Sequence, residues 1–136
     1  DIICEEETVA SKNFEVIDGT IDILNYLRSK NFKLCLVTMQ CQNAAKFALD
    51  KIQISKFFSS IITRDDANQR SDQIKKSLQT LELNPENVLM VGDRIHDVHS
   101  AKQVGCHAIL FNANKLNSFK ESTVISELSQ LKINLT

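Results

Sequence analysis

The apolar run Val88-Leu89-Met90-Val91 leads directly into Gly92-Asp93, and a second acid, Asp97, follows four residues later where a helical pattern opens. A buried strand that ends in Gly-Asp and turns into a helix places two carboxylates at the mouth of a parallel sheet. That is where open α/β sheets bind ligands. Two acids held so close repel unless a cation or a hydrogen-bond donor stands between them. A hard-metal site answers that need. A helix cap, with Asp97 favouring a helix N-terminus, answers it equally well.

The rest of the chain repeats the same grammar. Ile21, Ile23, Leu24 and Leu27 recur at helical spacing before the apolar run Phe32 to Val37, which ends at Thr38. Ala44, Ala48 and Ile52 mark the next helix, and Phe57-Phe58 with Ile61-Ile62-Thr63 a second strand that ends in the acidic turn Arg64-Asp65-Asp66. A helix carrying Ile74, Leu78 and Leu81 follows, with Ser71 as its expected cap, then the turn Asn84-Pro85-Glu86-Asn87. Val98, Ala101 and Val104 line a helix that Gly105 should stop. Ala108 to Phe111 reads as a further strand, and Val124, Leu128 and Leu131 as a closing helix. Continuous apolar strands alternating with amphipathic helices predict an α/β fold: a Rossmann-like parallel sheet with helices on both faces. No repeat or linker divides residues 1–136, so a single domain is expected.

Composition narrows the function classes. The net charge of -1 gives no footprint for nucleic acid or a membrane surface. Neither a membrane-length apolar run nor a signal peptide is visible, which predicts a cytoplasmic protein. Cys4, Cys35, Cys41 and Cys106 form no Cys-x-x-Cys pair, and Cys35 and Cys106 sit in or beside apolar runs; the cysteines read as buried reduced thiols. His96 and His99 lie near the acids and read as exposed or capping, because oxygen ligands dominate the site.

Three stretches together resemble the haloacid dehalogenase-like phosphohydrolase superfamily: Phe57 to Asp66, Leu83 to Asp93, and Asp97 to Gly105. The segment Asp18 to Gln40 is also similar to it, so the likeness spans roughly residues 16 to 112. The resemblance implies magnesium-dependent hydrolysis of phosphate esters. It assigns Asp93 and Asp97 to the metal, Thr38 and the following Met39 backbone to phosphate, and Arg70 to the basic residue that faces the phosphoryl group, with Lys75 as fallback. A Thr hydroxyl and backbone N–H groups at a helix start can bind phosphate oxygens, and a cation offsets charge on a phosphoryl group in transfer.

The family's first motif, Asp-x-Asp-x-Thr, supplies the nucleophile that forms an acyl-phosphate. Asp18-Gly19-Thr20 has Val16 where that nucleophile belongs, so Asp18 and Thr20 read as helix caps. In one remaining register Ile2-Ile3-Cys4 is the first strand, and Glu5 and Glu7 replace the two aspartates. In the other Asp1 is the nucleophile. The resemblance puts this strand in mid-sheet, where leaving it out would strand the backbone groups of its neighbours. Glutamate is one methylene longer than aspartate, and about 1 Å of misplacement costs on the order of a hundredfold in rate. Impaired phosphatase activity is therefore expected, with a phosphate- or metal-binding or interaction module as the alternative. The spacing from Glu7 to Ile21 and from Thr38 to Arg70 predicts no cap domain, and an open site would suit a large phosphorylated substrate.

Overall fold

The computed structural model describes residues 19–111 and 123–134. In chain order they form α1 (Thr20–Ser29), β1 (Cys35–Val37), α2 (Gln42–Lys51), β2 (Ser60–Ile62), α3 (Arg70–Leu81), β3 (Leu89–Gly92), α4 (Ile95–Val104), β4 (His107–Phe111), β5 (Thr123–Ile125) and α5 (Leu131–Asn134). Single 3-10 turns stand at Ser55–Phe57, Pro85–Asn87 and Leu128–Gln130.

Every strand pairing among the described residues is parallel. β1 pairs with β2, Leu36 opposite Ile61. β3 pairs with β4, Met90 opposite Ala108, and β4 with β5, Leu110 opposite Val124. Among the described residues these make two ladders, β1-β2 and β3-β4-β5. The strand that the resemblance sets between them, Ile2-Ile3-Cys4, lies outside the described residues.

The two-residue period of the strands sorts the core into two layers. On one face Leu36, Ile61, Leu89, Val91, Ile109 and Phe111 meet Ile23 and Leu24 of α1, Leu49 of α2 and Leu131 of α5. Both ladders therefore contribute to one apolar cluster. On the other face Met90 and Ala108 meet Ile74 and Leu78 of α3 and Ala101 of α4. Ile74 and Ile125 are each 2% exposed, and burying such an aliphatic side chain is worth about 1.5–3 kcal/mol. Helices cover both faces of a parallel sheet, as the continuous apolar strands require.

Local details depart from the sequence reading. α1 is capped by Gly19 at φ +83° with no side-chain cap bond, and Thr20 is already its first residue; Asp18 lies outside the described residues. α3 starts at Arg70 after Gln69, so Ser71 sits inside the first turn and does not cap it. Val124 belongs to β5, and a 3-10 turn and the short α5 come after that strand. The spacing of Val124, Leu128 and Leu131 imitates a helical stripe, but a three-residue strand is too short to show its own period. Cys41 is disulfide-bonded, against the expectation of reduced thiols throughout. It stands in a loop, and no spacing in the sequence reveals what lies beside it. Cys35 and Cys106 are free, and burial pushes both thiols above the usual 9.0. Gly105 does close α4, at φ +98°. Among the described residues no helix is long and apolar enough to cross a membrane.

Candidate active site

The C-terminal ends of β1 and β3 are joined by a chain of side-chain contacts. Thr38 follows β1, and its N–H donates to the Ile62 carbonyl at 3.0 Å, which extends the ladder by one bond. Its Oγ1 accepts the Gln40 N–H at 3.1 Å, so the hydroxyl hydrogen remains available to a further acceptor. Met39 is exposed at 40%. The helix start beyond it is not open as expected: Asp65 reaches across from the loop after β2 and accepts the Gln42 N–H at 2.9 Å. The Thr38 hydroxyl is the side-chain donor that remains at this end.

Arg70 opens α3. Its Nε donates to Asp97 Oδ1 at 3.0 Å, with the two side chains 15% and 5% exposed. Its Nη1 donates to Gln73 Oε1 at 3.0 Å. Nη2 is in no hydrogen bond among the described residues and is not a buried orphan. Lys75 lies on the exposed face of the helix. The structure thus brings Arg70, and not Lys75, to Asp97.

Asp97 does two things at once. Besides its ion pair, Oδ2 accepts the Arg94 N–H at 3.3 Å, which ties down the first turn of α4. The cap reading and the site reading describe the same side chain. Gly92 is what allows this proximity: a Cβ there would lie 2.6 Å from Asp97 Oδ2 and 2.8 Å from its Cγ. Asp93, by contrast, is exposed and enters no hydrogen bond or ion pair among the described residues. It presents a hard-oxygen donor of the kind magnesium takes, since that ion needs only one or two carboxylates plus waters and phosphate. Among the described residues no three His, Cys, Asp or Glu side chains gather as a complete metal cage. His96 and His99 are exposed. Glu5, Glu7 and Asp1 lie outside the described residues.

The sequence reading missed Gln73 and Asp65. Gln73 had a signal: it sits beside Ile74, Ser77, Leu78 and Leu81 on the buried side of α3, where a polar amide needs partners. Asp65 had none, because its partner is 23 residues away.

Comparison with known proteins bears on the same residues. The family model described as haloacid dehalogenase-like hydrolase matches residues 3–111. The pyrophosphatase PpaX of Oceanobacillus iheyensis is 31% identical over 118 residues, covering 81% of this chain and 55% of the relative. A phosphoglycolate phosphatase of Aquifex aeolicus is 30% identical over 132 residues, covering 93% of this chain and 61% of its own. The chain thus spans about half to three-fifths of the length of these curated relatives. Among solved structures, a HAD phosphatase from Thermococcus onnurineus superposes with a TM-score of 0.84 at 29% identity, over 89% of this chain and 58% of that one. The fold alone is also shared with the magnesium-bound putative HAD-hydrolase YfnB of Bacillus subtilis, at a TM-score of 0.86 and 19% identity over 96% of this chain and 60% of that one. With the family model matching most of its length and its strand-end residues assembled as described, the chain belongs to the haloacid dehalogenase-like hydrolases.

Proposed function

We propose that this chain carries the phosphate- and metal-handling part of a magnesium-dependent phosphohydrolase that cleaves phosphate monoesters through an acyl-phosphate. The observation that carries the reading is Arg70: a guanidinium held from one side by buried Asp97 at 3.0 Å, with Nη2 uncommitted among the described residues, beside the Thr38 loop. Fixed donors of this kind stabilise the charge that develops on a transferring phosphoryl group without reorganising as it forms. The names of the relatives, a pyrophosphatase and a phosphoglycolate phosphatase, support a phosphorylated substrate, an anhydride in the first case and a monoester in the second.

Each residue then has a task. The Thr38 hydroxyl and the Met39 N–H bind non-bridging phosphate oxygens, and Arg70 Nη2 binds a third. Asp93 is the open metal ligand. Asp97 stands beside it with both oxygens accepting N–H groups, so it acts chiefly by fixing Arg70. Magnesium, when bound, neutralises phosphate charge and orients the ester. The nucleophile stays with the first-motif assignments, Glu5 with Glu7 or, in the other register, Asp1.

The test is hydrolysis of an aryl phosphate with and without magnesium. We expect slow, magnesium-dependent turnover that falls at least about a hundredfold in Asp93→Asn, the scale of losing one fixed electrostatic element. Folded protein without turnover would leave the chain as a non-catalytic module, and turnover indifferent to Asp93 would remove Asp93 from the metal site. Turnover intact in Glu5→Gln would remove the glutamate register.

A further inference from the structure

Gln73 is wholly buried, at 0% exposure, and every polar group it carries is engaged. Its Nε2 donates to the Thr38 carbonyl at 2.8 Å and to the Ala67 carbonyl at 3.0 Å, and its Oε1 accepts from Arg70 Nη1 at 3.0 Å. One neutral side chain therefore ties the end of β1, the loop after β2 and the guanidinium at the start of α3.

We propose that Gln73 is a positioning residue that aims both phosphate-binding donors, the Met39 N–H and the Arg70 guanidinium. This rests on the phosphohydrolase reading above and adds to it a residue that touches no substrate. The peptide between Thr38 and Met39 is planar and trans, as no cis peptide occurs among the described residues. In such a unit C=O and N–H point in opposite directions. Pinning the Thr38 oxygen inward on Gln73 therefore turns the Met39 N–H away from α3, and that N–H makes no hydrogen bond among the described residues. The same amide holds Arg70 Nη1 while Asp97 holds Nε, so the guanidinium is gripped at two points, and among the described residues both Nη2 hydrogens and one on Nη1 are left over.

The chemistry requires an amide. Both donors of Gln73 face carbonyls and its acceptor faces a cation, so glutamate would set oxygen against two carbonyl oxygens, and an apolar residue would leave both carbonyls and Nη1 without their partner. A side chain that merely filled the core would need none of this.

The experiment reads inorganic phosphate binding by NMR, with Gln73→Met as the variant because it fills similar volume. In the wild type the Met39 amide and the Gln73 side-chain amide resonances should both move on phosphate titration. In folded Gln73→Met the phosphate Kd should rise at least about tenfold, the usual cost of losing a supporting hydrogen-bond partner, with KM for an aryl phosphate rising in parallel. A lower Tm with unchanged Kd and KM would make Gln73 structural only and overturn the proposal. Should the variant not fold, the wild-type titration still decides: phosphate that binds without moving either amide overturns it. Wild-type protein that neither binds phosphate nor hydrolyses the ester instead defeats the phosphohydrolase reading itself.

Discussion

Asp65 and Asp66 follow β2 much as Asp93 and Asp97 follow β3, and sequence alone gives both pairs the look of strand-end acids. The fold treats them differently. Asp65 caps α2 through the Gln42 N–H. Asp66 accepts the Thr63 N–H at 2.9 Å within its own turn and meets Lys76 at 3.8 Å, with both side chains well exposed. Each of these acids is used up in holding loops. In the second pair Asp97 is similarly absorbed, but by Arg70, a cation that keeps donors to spare, and Asp93 is left open. The contrast shows that a carboxylate at the mouth of a sheet becomes a site only through what reaches it. Local N–H donors make a turn, whereas the partly buried Arg70 guanidinium keeps N–H donors beyond those that Asp97 and Gln73 take up.

The sharpest way to break this contrast is to remove the ion-paired acid from each pair and compare stability. Asp97→Ala strands Arg70 as a mostly buried cation and also frees the Arg94 N–H, so we expect a loss of about 3 kcal/mol, the scale for breaking a buried pair from one side. Asp66→Ala loses the Thr63 N–H bond, a longer 3.4 Å bond from the Thr63 hydroxyl and an exposed ion pair, together about 1 kcal/mol. Denaturant midpoints of the two variants measure the difference. Equal losses would mean that the Arg70–Asp97 pair is as solvated as the surface one.

Gly92→Ala tests the same pair from the backbone. The new methyl would overlap the Asp97 side chain, which must shift and carry Arg70 with it. Overpacking of this kind costs about 1–3 kcal/mol. Unlike the Asp66 change, it should also weaken phosphate binding, read by titration with inorganic phosphate.

These outcomes bear on why some of the molecule is legible in its sequence and some is not. The strands β3 and β4 and their helices announce themselves because continuous apolar runs and a Gly105 stop are local signals. So is the Gly-Asp-x-x-x-Asp spacing, and it leads to the exposed Asp93 and to Asp97, which is now seen against Arg70. What stays hidden depends on distance in space. Asp65 capping α2 and Gln73 reaching back 35 residues to Thr38 leave no local mark beyond an amide on an apolar face. β5 is hidden for another reason: three residues cannot display a period, and the next apolar positions fall by chance at helical spacing. Gly19 capping α1 is easily overlooked because Asp18 and Thr20 have better cap chemistry, while only glycine takes φ +83° at no steric cost.

The smallest effect sharpens the comparison most, because it isolates an acid whose work is structural. Asp65→Ala removes the carboxylate from the Gln42 N–H, and the α2 N-terminus then turns to water. Losing such a cap costs typically about 1 kcal/mol, and since Asp65 is exposed we expect the low end of that range. Amide exchange should accelerate at Gln42 and its neighbours in the first turn and stay unchanged in α3 and α4. Turnover and phosphate affinity should remain within about threefold of wild type, less than half of the 1.4 kcal/mol that a tenfold change represents, because Thr38 is still held through the Ile62 carbonyl and Gln73. A large loss of phosphate affinity would show instead that the loop after β2 shapes the site. The acids after β2 and β3 would then be two parts of one surface, and the division between them would fall.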